Sequence, residues 1–441
     1  MIETIIKRDG RKEVFNASKL NKWAEWASGN LGEYVDWPSV AMQAVSTLGK
    51  ECTSQQLQER LIRVCLDNDS WSYYKMAGRL LAALLNKNIF PDGRPTIKEL
   101  HSSLVSKGLM IDLGYSNEEY SKLETIINHE KDFDCVYFGL DFINGKYALK
   151  DRTKNEVYET SQFVYMRMAM ALAQDEVNKV SEATEWYKLF SDNVINAPTP
   201  NYVNLGTKLR GYSSCCVYTT NDDWRSLAVG DHIAYAMTCM SAGIGAHIKT
   251  RSLGDGVRSG AIRHNGKLPY YRALQGMVQA NMQSGRGGAG TVYYTCYDPE
   301  ILDLLQLRNP RQTEDKKIRG LHYNMGSNKT FARAVAKGED FYGFSYKDNP
   351  ELYEAQYDGD QSKFEELYGK YIKTRKASKY KMSSRDVLVT SLTEAFETGT
   401  AYLHFTDEMN RHTPFKDKIY SSNLCVNISA QLKPFENGGT L

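Results

Sequence analysis

The chain has 441 residues, with 55 Lys and Arg against 53 Asp and Glu, a formal charge of +2. Hydrophobic residues at 41% and charged residues at 24% exclude a disordered chain or a fibre, and the near-neutral balance gives no electrostatic footprint for nucleic acid. No apolar run is long enough to span a bilayer or to serve as a secretory signal, and the eight cysteines lack C-x-x-C spacing, so a reducing, cytoplasmic setting is expected.

In chain order, Thr4 to Ile6 and Glu13 to Phe15 flank Arg8-Asp9-Gly10, and Asp-Gly supplies the positive φ of a tight hairpin. Asn16 and Ser18 are candidate N-caps for a helix with Leu20, Trp23, Ala24 and Ala27 on one face. Thr53-Ser54-Gln55-Gln56 has the form of a capping box. A further helix carries Leu80, Leu81, Leu84 and Leu85, and Pro91 closes a module over 1–91. Residues 92–212 read as mainly helical, with Ser116 and Glu119 boxing one start and a Met-rich apolar helix from Phe163 to Ala173. Met is a flexible core filler, so that helix reads as core rather than as a cofactor box. A hairpin of Tyr147 to Leu149 with Glu156 to Tyr158 is predicted to interrupt the helices.

From 213 to 441 strands alternate with helices, which argues for a parallel α/β sheet. The predicted strands are Ile244 to Lys249, Val292 to Tyr294, Leu321 to Met325, Phe341 to Phe344 and Tyr402 to Phe405. Asp298-Pro299-Glu300 reads as a helix start with Asp298 as cap. Five strands are too few for an eight-stranded barrel.

Several segments could carry chemistry, and each has a plainer reading. The glycine-rich stretch from Asn281 to Gly290 could cradle phosphate through its backbone N–H groups, with Arg286 beside it. It precedes a strand and lacks the Rossmann and P-loop patterns, so alone it reads as a linker. Arg251 and Arg258 read alone as surface charges. Ser213-Ser214-Cys215-Cys216 and Ser422-Asn423-Leu424-Cys425 are uncommon, but a cysteine in isolation is more often a small buried hydrophobe. The eight histidines form no metal-binding pattern.

Taken together, Ala-Pro-Thr-Pro at Thr199, Ser-Ser-Cys ending at Cys215, Arg251 and Arg258, the loop at Arg286 and Asn-Leu-Cys at Cys425 follow the order and spacing of the large (alpha) subunit of class I ribonucleotide reductases. Lys7-Arg8-Asp9-Gly10 resembles the family's ATP-cone, and the likeness runs on to Lys433-Pro434-Phe435. It implies an N-terminal ATP-cone, a helical region, and one five-stranded half of a ten-stranded α/β barrel. It also implies that the barrel needs a second chain to complete it, as in the naturally split large subunits of T-even-type bacteriophages.

The implied activity is reduction of ribonucleoside diphosphates by thiyl-radical chemistry. Cys425 would carry the radical and Cys215 would be one of two reducing thiols. The second thiol, a tyrosine relay and the re-reducing cysteines would lie beyond Leu441. Thr199, Ser214, Cys215, Gly243 and Asn423 would contact substrate. At position 427, where the family places Glu, this sequence has Asn427. An amide cannot accept a proton at neutral pH, which removes a general base worth about 10²–10⁴-fold. Asp222, Asp223, Trp224, Arg251 and Arg258 would bind the selecting effector, and Gln283, Ser284, Gly285, Arg286 and Gly287 would relay it.

In the ATP-cone, Lys7, Arg8, Glu13, Asn16, Lys19, Ser54 and Lys87 would contact nucleotide. Ser54 replaces the usual Thr, Gln58 the usual His and Ala83 the usual aromatic, so weak binding and reduced dATP inhibition are expected. ATP and deoxynucleotides would be effectors, with no cofactor or metal bound by the chain itself. A metal-based radical cofactor would reside in a small subunit, and thioredoxin or glutaredoxin would be the reductant. A higher oligomer is expected. The competing reading is a catalytically silent nucleotide-binding or assembly module, or a truncated form.

Overall fold

The computed structural model describes residues 2–151, 153–240, 242–280 and 288–434. It divides into two compact units, up to Tyr212 and from Ser213 onward.

In the first unit, β1 (Thr4–Ile6) pairs antiparallel with β2 (Lys12–Val14) and parallel with β3 (Glu51–Thr53). Gly10, at φ 82°, turns the hairpin, a conformation open to glycine because it has no Cβ. Asn16 caps the helix Ala17–Ser28 by accepting from the Lys19 N–H at 3.2 Å. Thr53 and Gln56 form the reciprocal capping box that starts Ser54–Leu66, and Trp71–Ile89 follows. Leu20, Ala24, Leu61, Met76 and Leu80 fill the core these helices share.

A second core in the same unit is built around the helix Ser161–Ala173, whose Met166, Met168 and Met170 are all fully buried. The hairpin before it is β4 (Lys150–Asp151) with β5 (Glu156–Val157). It lies later than the predicted Tyr147 to Leu149, because residues 143–147 continue as a π-helical turn that closes on Ala148. At the end of the unit the Arg167–Glu159 pair, 2.7 Å apart and wholly buried, donates onward to the carbonyls of Tyr202 and Leu205. A buried ion pair is tolerated only when its remaining hydrogen bonds are met, as here.

The second unit holds a five-stranded parallel sheet, ordered β14-β11-β10-β7-β6: β6 is Cys215–Thr219 and β7 is Gly243–His247. A small hairpin, β8 (Gly256–Val257) with β9 (Ile262–Arg263), precedes β10 (Gly290–Thr295) and β11 (His322–Ser327). A second hairpin, β12 (Asp340–Tyr342) with β13 (Lys381–Ser383), precedes β14 (Ala401–Phe405).

The membership of the sheet differs from the sequence reading at one strand. Phe341 belongs to the β12–β13 hairpin, and Cys215–Thr219, read only as a cysteine motif, takes the edge. Asp298 meets its predicted capping role: its side chain accepts from the Glu300 N–H at 2.9 Å and its carbonyl accepts from the Ile301 N–H at 3.0 Å. The same carboxylate is buried against Lys267 at 3.0 Å, and the short helix Ile301–Leu305 follows. Burying the Lys267 ammonium requires a carboxylate partner, and Asp298 supplies Oδ2 to it while Oδ1 keeps the cap.

Period-two alternation gives the sheet two different faces. Ile244, Ala246, Val292, Tyr294, Tyr323 and Met325 join Ala234, Leu274 and Val278 of the flanking helices in the apolar core. The other face presents Cys215, Gly243, Gly245, Thr291, Tyr293 and Asn324, aligned by the register Cys215↔Gly243, Gly245↔Thr291 and Tyr293↔Asn324.

Candidate functional site

The polar face is covered by the segment Ser421 to Ser429, which folds back on itself through the Ser422–Ser429 bridge. Two glycines let it approach. A Cβ on Gly243 would stand 2.6 Å from Leu424 Cδ2 and 3.2 Å from Cys215 Sγ, and one on Gly245 would stand 2.9 Å from Asn423 Cα. Distances below about 3 Å are not tolerated between carbons, so a larger residue at Gly245 would displace the loop backbone, whereas one at Gly243 would push the Leu424 side chain aside.

Asn423 is buried, and its side-chain oxygen accepts from the N–H groups of Asn427 and Ile428, each at 3.0 Å. Its carbonyl accepts from the Tyr293 hydroxyl at 2.6 Å, and the Leu424 carbonyl accepts from Thr291 Oγ1 at 2.8 Å. Val426 sits at φ 60°, an uncommon conformation for a β-branched residue, costing about 1–3 kcal/mol that the surrounding bonds must hold. Cys425 and Asn427 are exposed at the crest. The structure therefore brings Ser214, Cys215, Gly243, Asn423, Cys425 and Asn427 together through Leu424, which packs at the Cys215–Gly243 rung.

Neighbouring Cys215 and Cys216 face opposite ways. Cys215 receives the Ser214 hydroxyl at 3.8 Å on the polar face, whereas Cys216 packs against the apolar core, where burial and then the Cys215 thiol push its own thiol up. Deeper on the polar face His404 is buried and brought down to about 4 by that burial, so its imidazole is neutral at pH 7. His322 on β11 lies 3.2 Å from the Tyr402 hydroxyl.

Thr199 belongs to the first unit, where its hydroxyl lies 3.1 Å from the Tyr147 hydroxyl and Tyr147 stacks on Tyr202 at 4.3 Å. Of the expected effector residues, Asp222 and Arg251 form an ion pair at 2.7 Å, and the carboxylate holds the guanidinium above its ordinary value. Asp223 caps the helix Trp224–Cys239 by accepting from Arg225 and Ser226 at 3.0 Å each. Trp224 is 75% exposed, and Arg258, also exposed, sits in a left-handed turn at φ 49°. Gln283, Ser284, Gly285, Arg286 and Gly287 lie outside the described residues.

In the first unit Lys7, Arg8, Glu13, Asn16, Lys19, Ser54 and Lys87 all line one cleft of about 370 Å³. Glu13 pairs with Lys7 at 3.2 Å and Lys19 at 3.5 Å. Burial, then the nearby Arg8 and Lys7, hold the Lys87 ammonium below its ordinary value. Ala83 lines the cleft, but so does an aromatic that the sequence reading counted only as core: Trp23, with Lys87 Nζ 4.8 Å from its ring and Gln58 accepting from its indole N–H at 2.6 Å. The missed signal was the i, i+4 spacing of Lys19 and Trp23 on one helix face.

A family model described as the ribonucleotide reductase barrel domain matches residues 213–438. The chain belongs to the ribonucleotide reductase family. The all-alpha domain of that family matches residues 133–210, and an ATP cone domain matches 3–81. The chain is 30% identical over 452 residues to the ribonucleoside-diphosphate reductase subunit alpha of Buchnera aphidicola from Schizaphis graminum, covering 98% of this chain and 58% of that one. Against the Escherichia coli K12 reductase 1 subunit alpha it is 29% identical over 449 residues, with the same coverage. It is 31% identical over 439 residues to the subunit alpha of Enterobacteria phage T4, covering 96% of this chain and 58% of that one. The chain thus spans 58% of the length of these relatives. Among the described residues no helix is long and apolar enough to cross a membrane.

Proposed function

We propose that this chain supplies the first part of the catalytic subunit of a ribonucleoside-diphosphate reductase, acting in the cytoplasm. The carrying observation is the Ser421–Ser429 loop seated on the polar sheet face, with Cys425 at its crest and Cys215 at its foot. In this reading Cys425, oxidised by one electron from outside the chain, takes the 3′-hydrogen of the ribose and later returns it. Two thiols, Cys215 and one on the remainder of the large subunit, become a disulfide as the 2′-hydroxyl leaves as water. Asn423, Ser214 and Gly243 orient the ribose. Holding the ribose within near-attack distance of one sulfur is the main physical demand.

The remainder of the large subunit completes the sheet, which among the described residues has β6 and β14 as its edges. A small subunit with a metal-based cofactor supplies the radical, and thioredoxin or glutaredoxin regenerates the thiols. Asp222 and Arg251, with Arg258 and Trp224 nearby in sequence, serve an effector nucleotide, and residues 283–287 connect it to substrate choice. Arginine's planar donors suit phosphate. The cleft at Glu13 takes a nucleoside triphosphate, with Trp23 offsetting part of the aromatic surface lost at Ala83, so dATP shut-off is weakened rather than strong.

Asn427 favours a second reading, a silent nucleotide-binding module, since an amide cannot act as the base for the 3′-hydroxyl. The deciding experiment mixes the chain with the C-terminal portion and the small subunit and follows CDP reduction. Turnover that falls at least about 10³-fold in Cys425→Ser supports the reductase. No turnover in the complete mixture, or an active Cys425→Ser, establishes the silent module.

A further inference from the structure

Two hydroxyls beneath the Cys425 loop have no role in the scheme above. Thr291 and Tyr293 are next-but-one neighbours on β10, the central strand of the sheet, and both are essentially inaccessible, at 0% and 1% exposure. Each donates to the loop rather than to the sheet: Tyr293 to the carbonyl of Asn423 at 2.6 Å and Thr291 to the carbonyl of Leu424 at 2.8 Å. These are the two peptide carbonyls immediately before Cys425.

A trans peptide holds its N–H opposite its C=O. Two successive carbonyls drawn down onto the sheet therefore turn the peptides entering Cys425 in a fixed direction. The left-handed Val426 that follows reverses the chain, and the Asn423 amide closes the far side by accepting from residues 427 and 428. Glycines 243 and 245 allow the loop to reach the sheet but exert no hold on it. The hold comes from the hydroxyls, because an unmade hydrogen bond at a buried donor is costly.

We propose that Thr291 and Tyr293 are positioning residues that set the height and facing of the Cys425 thiol. Their relevance to turnover rests on the reductase reading above, but their effect on Cys425 does not.

The test uses the full chain as wild type, Tyr293→Phe, Thr291→Val and Thr291→Ser. Iodoacetamide modification of Cys425 is timed by peptide mass spectrometry, with Cys239, exposed at the end of the helix Trp224–Cys239, as internal reference. Tyr293→Phe and Thr291→Val are expected to raise the Cys425 rate about three- to tenfold relative to Cys239, as the loop opens more often. Thr291→Ser, which keeps the hydroxyl, is expected to stay within about twofold.

In the assembled reductase, Tyr293→Phe is expected to lower kcat about tenfold or more while KM changes less than about twofold, the signature of misplacement rather than lost binding. An unchanged Cys425 to Cys239 ratio in both hydroxyl-less variants would overturn the proposal, as would a KM effect without a kcat effect. Altered Cys425 reactivity alongside an inactive wild-type assembly would retain the positioning role and overturn the reductase reading alone.

Discussion

In the cleft around Glu13 the polar groups are charged side chains bound chiefly to one another, at 3.2 and 3.5 Å, with Glu13 37% and Lys19 70% exposed. Beneath Cys425 the groups are buried hydroxyls bound to main-chain carbonyls, with glycines admitting the backbone to contact. Exposed ion pairs contribute little to stability, so an incoming phosphate can take their place. Main-chain bonds over a close-packed sheet have no such freedom. The contrast separates a surface that recognises by exchanging partners from one that positions a single atom before any ligand arrives.

The sharpest way to break this comparison is at the foot of the loop. Cys215→Ser is expected to abolish CDP reduction, by at least about 10³-fold, while Cys216→Ser stays within about twofold, because strand alternation puts only the first thiol on the polar face. A dead Cys216→Ser with an active Cys215→Ser would reverse the assignment.

Gly245→Ala pushes a methyl group into Ser422 and Asn423. The expected result is a loss of activity of about 10²-fold, with about 1–3 kcal/mol lost in thermal unfolding, and no change in nucleotide binding at the cleft. An unaffected enzyme would show that the loop is not held where the structure puts it.

Acid separates the regions by stability. Burial lowers His404 from 6.5 to about 4. The unfolded chain therefore binds the proton first as pH falls, so the stability His404 confers is present above about 6.5 and is lost on descent towards 4. His404→Gln is expected to recover about 3 kcal/mol of the difference between pH 7 and pH 4 in the unfolding of the second unit. The first unit has its own buried histidine, His101, brought down to about 3 by burial and then Arg167, and its acid limb is expected to be unaffected by that substitution.

The smallest effect is expected at the cleft. Trp23→Ala should weaken ATP binding about three- to tenfold by calorimetry, the range of one aromatic contact. Unchanged affinity would remove Trp23 from the base-binding surface.

Local signals in the sequence accounted for much of the fold. Asp9-Gly10, Asn16, the Thr53–Gln56 box and Ser116–Glu119 act over a few residues, so their chemistry is readable without knowing what packs against them. The count of five strands was also legible, but not which five. Phe341 and Cys215 both lie in strands, and only long-range pairing decides which of them joins the sheet. At the candidate site the cysteine motifs stood out by residue type, the cleft's charged residues came only with the family resemblance, and Thr291 and Tyr293 carried neither signal. Alternation places them on one face, but nothing in β10 says that a loop 130 residues onward descends to their hydroxyls.

By itself the sequence determined the local starts and stops, the absence of any long apolar run, and the residue types available for chemistry, since these depend on neighbours within a turn or two. Tertiary structure alone decided which face of each strand is polar in use, that Asp298 serves Lys267 as well as a helix start, and that two hydroxyls hold the Cys425 loop. Those outcomes depend on burial, which is a property of what the rest of the chain brings alongside.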